Sequence, residues 1–101
     1  MEVVKMGDLT LEKIIGTAEY GDKLGLYARV VVPPKAAVPY HQHVGDSESY
    51  YILSGEGEYD DNGVKRMVKA GDSTWTPDGS SHGLVNTGDT DLTFMALIVK
   101  S

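Results

Sequence analysis

Between residues 24 and 32 the chain reads LGLYARVVV, and the alternate positions Leu24, Leu26, Ala28, Val30 and Val32 are all apolar. A repeat of two puts these side chains on one face of a β-strand and leaves Tyr27 and Arg29 on the other. The run stops at Pro33-Pro34, which cannot continue a central strand. SYYILS (49–54) is a second strand, ended by GEG. EGEYDDNGVKRMV is a hairpin candidate, because Asn62-Gly63 suits a tight turn that needs positive φ at both central positions. STWT precedes the turn Pro77-Asp78-Gly79, and LVN and LTFMALIVK supply strands on either side of TGDTD. No stretch carries a convincing amphipathic helix. Residues 8–16, DLTLEKIIG, combine a helix-start signal at Asp8 or Thr10 with a short strand pattern, and are expected to be irregular. Short strands with turn signals every eight to twelve residues or so predict an all-β sandwich or barrel. No linker, repeat or shift in composition divides the chain, so residues 1–101 are expected to form a single domain.

Length agrees with this: 101 residues suffice for one hydrophobic core and are too few for two. The net charge of -6 and the scattering of the basic residues, of which Lys65 and Arg66 are the one adjacent pair, argue against nucleic acid or an anionic membrane as partner. There is no cysteine, so disulfides and thiolate metal sites are excluded. MEVVKMGDLT lacks the apolar run of a signal peptide or a membrane span, and a cytoplasmic location is expected.

Chemistry enters at HQHVGDSE. The chain has three histidines, and two of them, His41 and His43, are separated by one glutamine. On a strand both imidazoles project to one face while Gln42 points away. Glu48 follows across a short loop that contains Gly45 and Asp46. If YHQH and ESYYIL are neighbouring antiparallel strands, Glu48 faces the same cavity as the histidines. His82, after TPDGSS, opens another strand. Three neutral imidazoles and a carboxylate suit a divalent first-row metal. Taken alone, an H-x-H pair fits two surface histidines equally well.

The wider pattern resembles the cupin superfamily, the RmlC-like jelly-roll barrels. His41, His43, Glu48 and Gly55 fall in register with the first cupin motif (residues 35–55), with Lys35 standing where that motif opens on glycine. Gly71, Pro77, Gly79, His82 and Asn86 match every fixed position of the second motif (residues 71–86). Fifteen residues separate Gly55 from Gly71, a short spacing similar to that of single-domain bacterial cupins. The resemblance implies a jelly-roll β-barrel (a double-stranded β-helix) and the metal ligands His41, His43, Glu48 and His82. It further implies one divalent ion per chain, iron or manganese ahead of zinc, nickel or copper, and a homodimer. Its functional implication is a metalloenzyme for a small polar metabolite, of the dioxygenase or the sugar-acid isomerase or lyase type. The alternative is a non-catalytic module that binds or senses a metal-chelated small ligand.

Face parity adds candidates around the metal. Tyr50 shares the face of Glu48 and Ile52, which makes it a candidate acid or a packed wall residue. Trp75 alternates with Thr74 and Thr76 and is expected inside, as pocket wall and substrate contact. Arg29 would clamp a substrate carboxylate if it faced inward, although strand parity directs it outward. Asn86 is expected to stabilise a turn, Phe94 and Met95 to lie in the core, and Gly45 and Asp46 to rim the pocket.

Overall fold

The computed structural model describes residues 1–101. It contains ten strands and one helical turn. The strands are β1 (Glu2–Met6), β2 (Leu9–Lys13), β3 (Leu24–Val32), β4 (Ala37–Gln42), β5 (Asp46–Ser54), β6 (Glu56–Asp61), β7 (Val64–Lys69), β8 (Ser73–Thr76), β9 (Ser81–Asn86) and β10 (Leu92–Lys100); the turn α1 spans Thr17–Tyr20. One sheet has six strands in the order β1-β2-β3-β10-β5-β8, and the other has four in the order β4-β9-β6-β7. All their pairings are antiparallel. Consecutive strands repeatedly change sheet, the arrangement of a jelly roll.

Period-two burial builds the core. Ala28, Val30 and Val32 of β3 and Phe94 and Ala96 of β10 are buried from the six-stranded sheet. Tyr59 and Leu84 meet them from the four-stranded sheet in one apolar cluster. Arg29 lies on the outer face of β3, as parity predicts. Met95 lies on the same outer face of the sheet from β10, half-buried opposite Arg29 in the register, which corrects its expected place in the core. The hairpin β6–β7 turns at Asn62 (φ 51°) and Gly63 (φ 98°), the positive angles that the Asn-Gly pair predicts.

Two expectations are corrected. Residues 9–13 form strand β2 and are not irregular: Leu9 and Leu11 are buried, and β2 is hydrogen-bonded between β1 and β3. The alternation in LTLEK is only five residues long, and it becomes decisive because β3 offers an edge for it to pair with. Nor are β4 and β5 neighbours in a sheet. β4 pairs with β9, with His41 opposite His82, while β5 lies between β10 and β8. After Gln42 the chain crosses from one sheet to the other, so the histidines and Glu48 approach one another across the sandwich.

Two turn positions test the motif pattern. Gly55 has φ 83°, and a Cβ there would stand 2.5 Å from the Asp91 carbonyl oxygen and 2.9 Å from Leu92 Cα. Both the backbone angle and the space require glycine. Lys35 has φ 69°, so it adopts the left-handed conformation that suits the glycine of the family motif. Asn86 is fully buried and ties the second motif together. Its amide donates to the carbonyls of Val32 (2.9 Å) and Thr90 (2.8 Å), and its oxygen accepts from the Gly88 amide (2.9 Å).

Candidate metal centre

Four side chains from three places in the fold converge. His41 is on β4, His43 lies just beyond its end, Glu48 is on β5 and His82 is on β9. One donor atom from each lies within 4.8 Å of all the others. Nε2 of His43 is 3.2 Å from Nε2 of His41 and 3.1 Å from Nε2 of His82. Glu48 Oε1 is 3.0 Å from Nε2 of His43 and 2.9 Å from Nε2 of His82. Ligands about 2.0–2.2 Å from one ion and at right angles to each other stand roughly 3 Å apart, so these separations fit a single divalent ion. His43, Glu48 and His82 are buried, and His41 is exposed toward the opening. Gln42 points away, donating to the Gly79 carbonyl at 2.9 Å.

The far sides of the rings show why the cluster suits a cation. His41 Nδ1 is 2.6 Å from the Pro39 carbonyl, which can only accept, so Nδ1 carries the proton. His43 Nδ1 donates to the Asp46 carboxylate at 2.7 Å. In the neutral rings, both Nε2 lone pairs therefore face inward, toward each other and toward the Glu48 oxygen. Lone pairs held this close repel unless a positive charge lies among them, and a divalent ion would supply it. His82 Nδ1 sits 2.8 Å from both the Tyr59 hydroxyl and Thr76 Oγ1, which fix its ring plane. The donors are imidazole nitrogen and carboxylate oxygen, a set that iron, manganese, zinc, nickel and copper all accept.

Tyr50 is buried, and its hydroxyl lies 3.4 Å from His82 Nε2. Burial, reinforced by the negative charge of Glu48, raises its pKa well above the ordinary tyrosine value, which keeps the hydroxyl protonated. A cavity of about 360 Å³ adjoins the cluster, lined by His41, Glu48 and Tyr50 on its polar side and by apolar residues elsewhere.

Two sequence candidates do not reach this cavity. Trp75 is 55% exposed on the outer face of β8, whereas Thr74 and Thr76 are buried. Residues directly opposite in a sheet share a face. Thr76 is opposite Glu48 and Thr74 opposite Tyr50, so Trp75 joins Ser49 outside. The apolar-inward rule fails on β8 because the inner face there supports a polar centre, with Thr76 bonded to His82. Arg29 is exposed and paired with Glu12 of β2, so it is no substrate clamp. Three residues near the site went without a role in the sequence reading or received a different one. Asp46, read as pocket rim, orients His43, and Tyr59 and Thr76 orient His82. The alternation of Tyr59 with Gly57 along β6, and the register of Thr76 with Glu48, are the signals that place them inside.

The family model described as "Cupin domain" matches residues 28–99. The "Oxalate-binding protein" of Thermotoga maritima is 42% identical over 93 residues, which cover 92% of this chain and 77% of that protein. A crystal structure from Thermotoga maritima, described as a predicted oxalate decarboxylase, superposes with a TM-score of 0.91 at 38% identity, covering 99% of this chain and 91% of that one. An RmlC-like cupin from Shewanella frigidimarina shares the fold with a TM-score of 0.84 at 22% identity, covering 99% and 84%.

Proposed function

We infer that this chain, which belongs to the cupin domain family, holds one divalent metal ion between His41, His43, Glu48 and His82 and acts on a small metal-chelating metabolite. The observation that carries this reading is the convergence of the four donors, with the Nε2 lone pairs of His41 and His43 turned inward. Iron or manganese is favoured, with zinc, nickel or copper fitting the same donors. A divalent ion bound there would supply Lewis acidity, polarising a carbonyl or carboxylate oxygen of the ligand.

The chain's own residues do the rest. Asp46, Thr76 and Tyr59 fix the imidazole rings from behind, so that little reorganisation accompanies metal entry. Tyr50 presents a hydroxyl held protonated beside Glu48, a hydrogen-bond donor toward the cavity. The apolar walls exclude water and strengthen these polar contacts. The reading is a metalloenzyme, with dioxygenase chemistry ahead of sugar-acid isomerisation or elimination. The similar proteins described as oxalate-binding and as a predicted oxalate decarboxylase support carboxylate chelators as the ligand class. The word "binding" in the former also supports a second reading, a non-catalytic module that captures a chelating ligand.

The two separate in one experiment. Iron- or manganese-loaded protein is offered a panel of diketones, phenols, uronates and 2-oxo acids, and oxygen uptake and products are followed. Turnover that disappears in His82→Ala supports the enzyme, and tight metal-dependent binding without turnover supports the module. Absence of both turnover and metal-dependent binding would overturn the reading. A single domain, a homodimer and a cytoplasmic location belong to the same proposal. Exposed Tyr51, Leu53 and Trp75 on the outer face of the six-stranded sheet support the dimer. Light scattering at the monomer mass of 10.9 kDa at every concentration would refute it. No helix is long and apolar enough to cross a membrane.

A further inference from the structure

Oxalate is a small dianion with polar edges and no hydrocarbon, and the cavity beside the four donors is built for something else. Its volume of about 360 Å³ lies within the range of small-organic-molecule sites, roughly 300–1,000 Å³. Eleven of its 15 lining residues are hydrophobic, among them Leu9, Leu11, Leu26, Val30, Phe94 and Ala96. The single cation in the lining is Lys13, which is already paired with Glu2 at 3.6 Å. Apart from His41, Glu48, the Tyr50 hydroxyl and the partly exposed Lys13, the walls are hydrocarbon. Oxalate chelated at the donors would leave most of that apolar surface in contact with water. An apolar group in the same space would release water from apolar surface.

We propose that the ligand is a metal-chelating monoacid with an apolar body, a 2-oxo or 2-hydroxy acid bearing a branched aliphatic or aromatic side chain. Its chelating head lies at His41 and Glu48, and its side chain lies against Leu11, Val30, Phe94 and Ala96. The proposal rests on the reading of the four donors as a metal centre. It gives the hairpin β1–β2 a role in selection, because Val4, Met6, Leu9 and Leu11 form part of the wall. Ala96, with the smallest side chain of the β10 wall residues, leaves the space that a ligand side chain fills.

The test uses the full chain in two states. Manganese(II) binding is first measured alone; the manganese-loaded and metal-free chains are then titrated with oxalate, pyruvate, 4-methyl-2-oxopentanoate and phenylpyruvate. Each buried methylene should tighten binding roughly fourfold, so the three extra carbons of 4-methyl-2-oxopentanoate should give roughly 60-fold over pyruvate. Oxalate, which leaves the apolar walls to water, should bind less tightly than 4-methyl-2-oxopentanoate. The same gradient, at weaker absolute affinity, is expected in the metal-free chain, because the walls supply it. Ala96→Leu, which fills the space, should still bind manganese at the four donors and lose most of the gradient. Met6→Ser at the exposed rim should fold normally and lessen the gain for phenylpyruvate. One bound manganese with a flat series, or with oxalate tightest, would overturn the proposal and leave the metal centre standing. No manganese bound, with the gradient intact in the metal-free chain, would overturn the metal centre and the chelating head with it.

Discussion

At the scale of single residues, function depends on which ring nitrogen carries a proton. Asp46 accepts from His43 Nδ1 and Pro39 accepts from His41 Nδ1, which leaves two unprotonated nitrogens to face a common point. Removing such an orienting partner typically weakens metal binding by about 10- to 100-fold. Asp46→Asn should show a loss of that order in a metal titration, His43→Ala should lose the ion, and Gln42→Ala should keep it. Equal metal content in Gln42→Ala and His43→Ala would sink the assignment of opposite faces. Tyr50 supplies a second residue-level expectation. Burial and Glu48 raise its pKa, so the folded chain holds its proton more tightly than the unfolded chain does. The corresponding stability is fully present below the ordinary tyrosine value of ~10 and declines as pH rises above it. Alkaline denaturation should show a steeper loss in the parent chain than in Tyr50→Phe; identical slopes would mean that Tyr50 ionises freely.

Elements carry the rules that decide which residues reach the site. Strand parity put Glu48, Tyr50 and Ile52 on one face of β5 and Arg29 on the outer face of β3, and burial alternates along both strands accordingly. On β8 it misplaced Trp75, since the inward-facing positions are threonines rather than core hydrocarbons: Thr74 accepts from the Tyr50 amide, and Thr76 is bonded to Tyr59 and His82. Turns follow backbone angle. Gly55→Ala adds a Cβ against the Asp91 carbonyl at positive φ and should destabilise by about 2–3 kcal/mol in denaturant unfolding. Lys35→Gly relieves a left-handed lysine that no side-chain contact requires. Its effect should lie between neutral and about 1 kcal/mol of stabilisation, since the relief is offset by the greater unfolded freedom of glycine. A Gly55→Ala chain as stable as the parent would contradict the close approach of the two turns.

For the whole molecule, the site links the two sheets: His41 and His82 come from one, Glu48 from the other, with His43 at the crossing. A bound ion would therefore tie the sandwich together. If it binds only the folded chain, free metal at a hundred times Kd stabilises by about 2.7 kcal/mol. Chelation should lower the melting temperature by several degrees without abolishing folding, because the apolar cluster stands independently of the donors. Imidazoles must be neutral to ligate, so protons compete with the ion, and the gap between metal-loaded and chelated melts should shrink as pH falls toward ~5. A gap unchanged at pH ~4.5, where carboxylates alone still bind, would exclude the histidines as ligands.

The sequence by itself determined the all-β class, most of the strands, the positive-φ turn at Asn62-Gly63 and the identities of the four converging donors. Each of these is local, or is carried by a spacing that the chain states outright. What only the tertiary structure decided is long-range. LTLEK became strand β2 because β3 lay beside it, and β4 and β5 went to different sheets although they adjoin in sequence. The inner face of β8 was set by its pairing with Glu48 and Tyr50 and not by its own hydropathy. The hydrogen bonds behind the histidines join residues such as His82 and Tyr59, 23 positions apart, that no local pattern relates. Period-two alternation tells which residues share a face, but which face looks inward is settled by what the opposing strand and sheet place against it.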